Sequence, residues 1–182
     1  MKRIVLVGLG VLAVSASAVA QAPAPEIERA LAAAPRQMKE GATVIKWKAD
    51  NTYDTVKKGT NRLVCYDRTG EPGMQPFAVQ CTSIANLDRV AQNRKFAAMT
   101  DKTARQAALD AAEKDGTRVK PEYGSVWLTM NGPDKEHARI HTTIAVPGAT
   151  TQSTGLPDNN KQGGVWIMNA GTTTAHIMTP GS

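Results

Sequence analysis

Residues 62–81 read RLVCYDRTGEPGMQPFAVQC. The two ends, RLVCY and FAVQC, are short and rich in apolar and β-branched residues, as strands are. Between them DRTGEPGMQP is dense in turn formers. Cys65 and Cys81 are the only cysteines of the chain. An even count in an exported chain points to a disulfide. The spacing gives two neighbouring strands joined by an irregular loop and stapled across, a constraint worth ~3 kcal/mol in the chain-entropy view. There is no C-x-x-C spacing to suggest a redox pair. Without adjacent histidines, two thiols make a poor zinc set.

Working outward, ATVIKWKA (42–49) alternates, with Val44, Lys46 and Lys48 on one face and Ile45 and Trp47 on the other. It reads as a strand. YDTVKKGTNRLVCYD (53–67) holds two more strand-like pieces around Gly59-Thr60-Asn61, residues that suit a hairpin turn. From Ile84 to Gly116 the texture changes to helical. Ile84, Leu87, Val90 and Ala91 form one stripe, and Ala104, Ala107, Ala108, Ala111 and Ala112 another. The break falls near Met99-Thr100-Asp101. Thr100 or Asp101 is the expected N-cap and Gly116 the expected stop. The alanines permit close packing on a sheet, and Arg89, Arg94, Lys95, Lys102, Arg105 and Lys114 read as a solvated face.

Beyond Tyr123 the strand pattern returns. YGSVWLTMNG (123–132) and HARIHTTIAVPG (137–148) pair as a hairpin. A long polar loop follows, and VWIMNAGTTTAHIMTP (165–180) closes as two strands around residues 169–172. Strands, then helices, then strands, without βαβ alternation, predict an α+β fold: a mostly antiparallel sheet with two or three helices on one face and a single disulfide.

The start of the chain speaks to compartment. Lys2 and Arg3 precede an apolar run from Ile4, and Ala18-Val19-Ala20 has the small residues of a cleavage site. Residues 1–20 read as a secretory signal peptide. The run, about 17 residues, is at the short limit for a membrane span of ~20. The reading is therefore export, to the periplasm or outside the cell, after cleavage near Ala20, with no transmembrane segment in the mature chain. Residues 21–40 are expected as an extended QAPAP leader and a short helix around Ile27 and Leu31. Residues 41–182 are expected as one globular domain. Cleavage would lower the formal charge from +6 to +4. Aromatics are 4 % of the chain, too few for the stacking surface of a nucleic-acid binder.

Catalytic signals are sparse. Ser83, Ser125, Ser153 and Ser182 lie outside any G-x-S-x-G elbow. Asp54, Asp67, Glu71, Asp134 and Glu136 fall in turn-like or edge contexts, where solvated acids are ordinary. No catalytic residue and no cofactor is assigned. His137 and His141 are four apart in a strand-like stretch, about 13 Å along a strand and too far to share a metal. His176 and Met178 share a strand face, and imidazole with thioether suits copper. His176, Met178 and His141 are the candidate metal ligands, with Met168 as the other possible cross-strand partner of His176.

The stretch GTNRLVC (59–65), the second cysteine, TGLP (154–157) and GGVWIMNAGTTTAHIMTP (163–180) resemble an uncharacterised family of exported bacterial proteins. That resemblance covers most of the mature chain and implies export and a shared fold, with no activity. Its motif residues here are Gly59, Thr60, Asn61, Cys65, Gly163, Gly164, Trp166, Met168, Gly171, Thr172, His176, Met178 and Pro180. Asn169 stands where the pattern often has Trp, and Thr173-Thr174 where it often has Pro-Tyr.

The expected function is that of an exported, non-catalytic binding or envelope-associated domain, its partner a small molecule, a peptide or an envelope component. The alternative is a copper- or zinc-handling protein, or a hydrolase, centred on His176.

Overall fold

A computed structural model describes residues 24–180. The expected signal peptide lies outside the described residues. The core is one eight-stranded sheet in the order β2-β1-β3-β4-β5-β6-β8-β7. The strands are β1 (Thr43–Trp47), β2 (Tyr53–Lys57), β3 (Leu63–Asp67), β4 (Phe77–Ser83), β5 (Val126–Gly132), β6 (Arg139–Ala145), β7 (Trp166–Met168) and β8 (His176–Met178). The helices are α1 (Ala24–Ala30), α2 (Leu87–Ala97), α3 (Lys102–Asp115) and the single turn α4 (Thr151–Thr154). All pairings are antiparallel except β1 with β3. The fold is α+β. Among the described residues no helix is long and apolar enough to cross a membrane.

The staple forms as the spacing implied. Cys65 and Cys81 face each other directly across β3 and β4, with Cα atoms 4.1 Å apart, and are disulfide-bonded. Each is fully buried. The disulfide lies on one face of the sheet with Val44, Leu63, Phe77, Val79 and Leu128. Ile27 and Ala30 of α1, with Leu31 and Ala33 just after it, close over this face. Helix α1 starts at Ala24, so the last two residues of the expected extended leader are helical. Pro25 fits there because the first turn of a helix needs no N–H from it.

The opposite face is built by Ile45, Val64 and Tyr66, covered by Leu87 and Val90 of α2, with Trp47 and Trp127 packed at its edge. The helix signals are met locally. The Asp101 carboxylate accepts from the N–H groups of Thr103 and Ala104, at 2.8 and 3.2 Å, and Gly116 ends α3 at φ 77°. Helix α3 nevertheless does not lie on the sheet. Ala104, Ala107 and Ala111 are exposed, and Ala112 is the buried residue of the helix. Its alanines raise helix propensity rather than close an interface; α3 packs beside α2.

The Gly59-Thr60-Asn61 hairpin does not form. Strand β2 pairs with β1, and β3 lies on the other side of β1, parallel to it. The hairpin turn is instead at residues 48–52, where Asn51 takes φ 65° and the Asp50 carboxylate accepts from the N–H and hydroxyl of Thr52. Gly59, Thr60 and Asn61 carry the chain across the start of β1. The N–H groups of Thr60 and Asn61 both donate to the Gly41 carbonyl, at 2.8 and 2.9 Å. The Asn61 amide donates to the Met38 carbonyl and accepts from the Leu63 N–H, both at 2.9 Å. Turn-forming residues therefore serve a crossover: their polar groups are satisfied by the loop they pass over.

At the far end of the sheet, Ile167 is fully buried with Val146 and Ala175, and Leu156 packs against them. Leu156 comes from the polar 147–164 segment, which is ordered by the α4 capping box between Thr150 and Ser153. The Pro157 carbonyl accepts from the Ile167 N–H at 2.9 Å. This loop therefore holds β7 against β8.

Candidate functional site

The closing hairpin sets Met168 directly opposite His176, and Trp166 opposite Met178. On its other side β8 pairs with β6, where Ala145 faces His176 and Thr143 faces Met178. His141 faces Thr129 of β5 instead, four residues along β6 from the partner of His176. At strand rise that is about 13 Å away. Of the candidate metal ligands, His176 and Met168 are brought together, Met178 is buried two residues on, and His141 stands apart. His137 pairs with Asp134 in the exposed β5–β6 turn, with Nδ1 2.7 and 2.8 Å from its carboxylate oxygens. Among the described residues no group of three or more histidines, cysteines and carboxylates is placed to hold a metal.

His176 lines a pocket of about 160 Å³ between α2 and the sheet. Its ring Nδ1 is 2.7 Å from the Thr174 carbonyl. A carbonyl only accepts, so Nδ1 carries the hydrogen, and in the neutral ring Nε2 is the free acceptor. Trp127, Thr143, Ala145 and Pro121 form the walls, and Arg89 and Asn93 face His176 from α2.

Arg89 is the pocket residue that the sequence reading misplaced. It was expected on the solvated face of α2, yet it is 3 % exposed. Nη1 donates to the Val119 carbonyl at 2.6 Å and the Thr173 hydroxyl at 3.1 Å; Nη2 donates to the Thr174 hydroxyl at 2.7 Å. These bonds use three of its five N–H groups. Burial, with the nearby charge of Arg118, pushes Arg89 down to about 10, so it is still a cation at neutral pH. Glu113 of α3 opposes that shift. Its carboxylate accepts from the Thr173 N–H at 3.1 Å and from the Thr173 and Thr174 hydroxyls. Burial works to raise Glu113, but those hydrogen bonds and the Arg89 charge outweigh it and hold the carboxyl below its ordinary value.

Arg118, also buried, sets Asn93. Its guanidinium donates to Gln92 Oε1 at 2.6 Å and to Asn93 Oδ1 at 2.5 Å. With Oδ1 engaged, the hydrogens on Nδ2 are what the Asn93 amide has left to offer. The pocket thus joins a buried cation, an amide donor and an imidazole acceptor on an apolar floor, and no carboxylate lines it. A guanidinium in the same small pocket works against a metal cation at His176.

Two of the larger cavities have their charges already matched. The one of about 450 Å³ where β1 and β3 diverge is lined by Lys46, Asp67, Glu71 and Arg94. Lys46 pairs with Glu26, Arg29 with Asp67, and Glu71 with both Arg68 and Arg94. Glu71, read from sequence as a solvated acid, has a side chain only 14 % exposed between two arginines. In the groove of about 370 Å³ beside Tyr123, Arg62 is paired with Glu122, which also accepts from the Ser83 hydroxyl.

The only signal in the sequence for Arg89 was its place between Leu87 and Val90, both on the buried stripe. No protein-family model, no curated protein and no solved structure matches this chain.

Proposed function

We propose that this chain is an exported, non-catalytic binding domain that holds a small ligand in the pocket around His176. The observation that carries the reading is the buried Arg89 on a pocket that no carboxylate lines. Its volume, about 160 Å³, is below the ~300–1,000 Å³ of drug-sized sites. It suits a ligand of a few heavy atoms. Export rests on residues 1–20 and on the resemblance to exported bacterial proteins, and a buried disulfide fits an oxidising compartment.

Binding is tested by thermal shift of the purified protein against a panel of small carboxylates, oxyanions, amides and polyols, since a ligand of the native state raises the melting temperature. A shift that Asn93→Ala weakens supports the reading; a panel without any shift contradicts it. Export is tested by the mass of the N-terminus in the periplasmic fraction. The expected first residue is Gln21, and retention of residues 1–20 contradicts cleavage.

A copper-handling role is the second reading, favoured by Met168 standing opposite His176. Cu(I) titration of the same protein separates the two. Micromolar Cu(I) binding lost in both His176→Ala and Met168→Leu would favour the metal.

A further inference from the structure

The donors and acceptors around His176 also say what kind of ligand fits, given the binding reading on which this rests. Arg89 presents a fixed positive charge, and among the described residues three of its N–H groups are engaged, all by neutral oxygens. Asn93 is turned by Arg118 so that its carbonyl oxygen is used, and among the described residues its NH₂ is not. Both groups call for an acceptor on the ligand, and the charge calls for an anionic one. His176 is different. Thr174 holds the hydrogen on Nδ1, so Nε2 calls for a donor on the ligand.

We infer that the pocket takes a small oxyanion that also carries a hydroxyl: its anionic oxygens meet Arg89 and Asn93, and its O–H donates to His176 Nε2. Hydrogen phosphate and a short 2-hydroxycarboxylate share this chemistry. Sulfate and a plain carboxylate have the charge but lack the donor. The volume, about 160 Å³, is room for a ligand of a few heavy atoms, either anion included. Leaving Nε2 without a donor is what would weaken binding of a ligand without a hydroxyl.

The test is a calorimetric titration at pH 8 of the purified protein with phosphate, sulfate, lactate, propionate, glycerol and acetamide. Phosphate or lactate should bind at least tenfold more tightly than sulfate or propionate, its partner without the hydroxyl. The two pairs separate a phosphate source from a carboxylate source. His176→Ala should keep anion binding and lose the tenfold preference. Arg89→Gln should lose anion binding; because Arg89 is buried and that variant could unfold, Asn93→Ala is the second variant, expected to weaken every anion alike. Equal affinity for phosphate and sulfate, and for lactate and propionate, overturns the role given to His176. Binding of glycerol or acetamide as tight as any anion overturns the anion inference and leaves the binding reading standing. No heat of binding with any of the six overturns both.

Discussion

Arg89 and Glu113 are joined through two threonines. The hydroxyls of Thr173 and Thr174 each accept from the Arg89 guanidinium and donate to the Glu113 carboxylate. The relay ties α2, α3 and the loop before β8 into one unit, with the Glu113 carboxylate outside the pocket and not in contact with Arg89.

This relay makes part of the stability pH-dependent. The Glu113 carboxyl is held below its ordinary value in the folded state, so its contribution is complete above the unfolded value of about 4.3. It is lost as pH falls through the lower folded value. Urea melts between pH 3 and 6 should show a shallower acid loss for Glu113→Gln than for the parent, with lower stability at pH 6. Identical slopes would remove Glu113 from the account.

Glu71 lies between the Arg68 and Arg94 side chains, each about one-fifth exposed, and accepts from Arg68 Nε at 2.8 Å. Removing its charge leaves two cations facing each other, so Glu71→Gln should cost about 3 kcal/mol in denaturant. Exposed pairs of this kind give under ~1 kcal/mol. His137–Asp134, with side chains 73 and 48 % exposed, is the control. Asp134→Asn should leave the midpoint nearly unchanged.

The Cys65–Cys81 bond closes a 16-residue separation between strands already paired. Replacing both cysteines by alanine should lower unfolding free energy by about 3 kcal/mol. The same drop should follow reduction of the parent and be absent when the double variant is treated with reductant.

Gly59 is required by space. A Cβ there would fall 2.5 Å from the Ala42 carbonyl carbon, and as close to the Gly41 oxygen and Thr43 nitrogen. All three are backbone atoms that cannot move aside. Gly59→Ala should therefore cost about 2–3 kcal/mol. Gly164→Ala, with nothing within 4 Å of the added atom, should be close to neutral.

Much of the fold is written locally. The 101–116 helix shows its cap and stop, the β5–β6 and β7–β8 hairpins have short connections between strand patterns, and two cysteines have one possible pairing. The β1–β3 neighbourhood is not local. Gly59-Thr60-Asn61 has the chemistry of a turn, and its real partner, the Gly41 carbonyl, is set by how the chain passes β1. The site divides the same way. His176 and Met168 sit on one hairpin, and their juxtaposition could be read from it. Arg89 could not, because the hydroxyls that make its burial tolerable are 84 and 85 residues away. An arginine beside two buried apolar residues looks in sequence like any solvated one.

The most direct test of the pocket is an amide and imidazole NMR titration of the purified protein with phosphate and with lactate at pH 8. The account predicts saturable shifts confined to Arg89, Asn93, Trp127, Ala145 and His176, with the His176 Nε2 resonance moving most. The absence of any saturable shift at these residues with either ligand would contradict it.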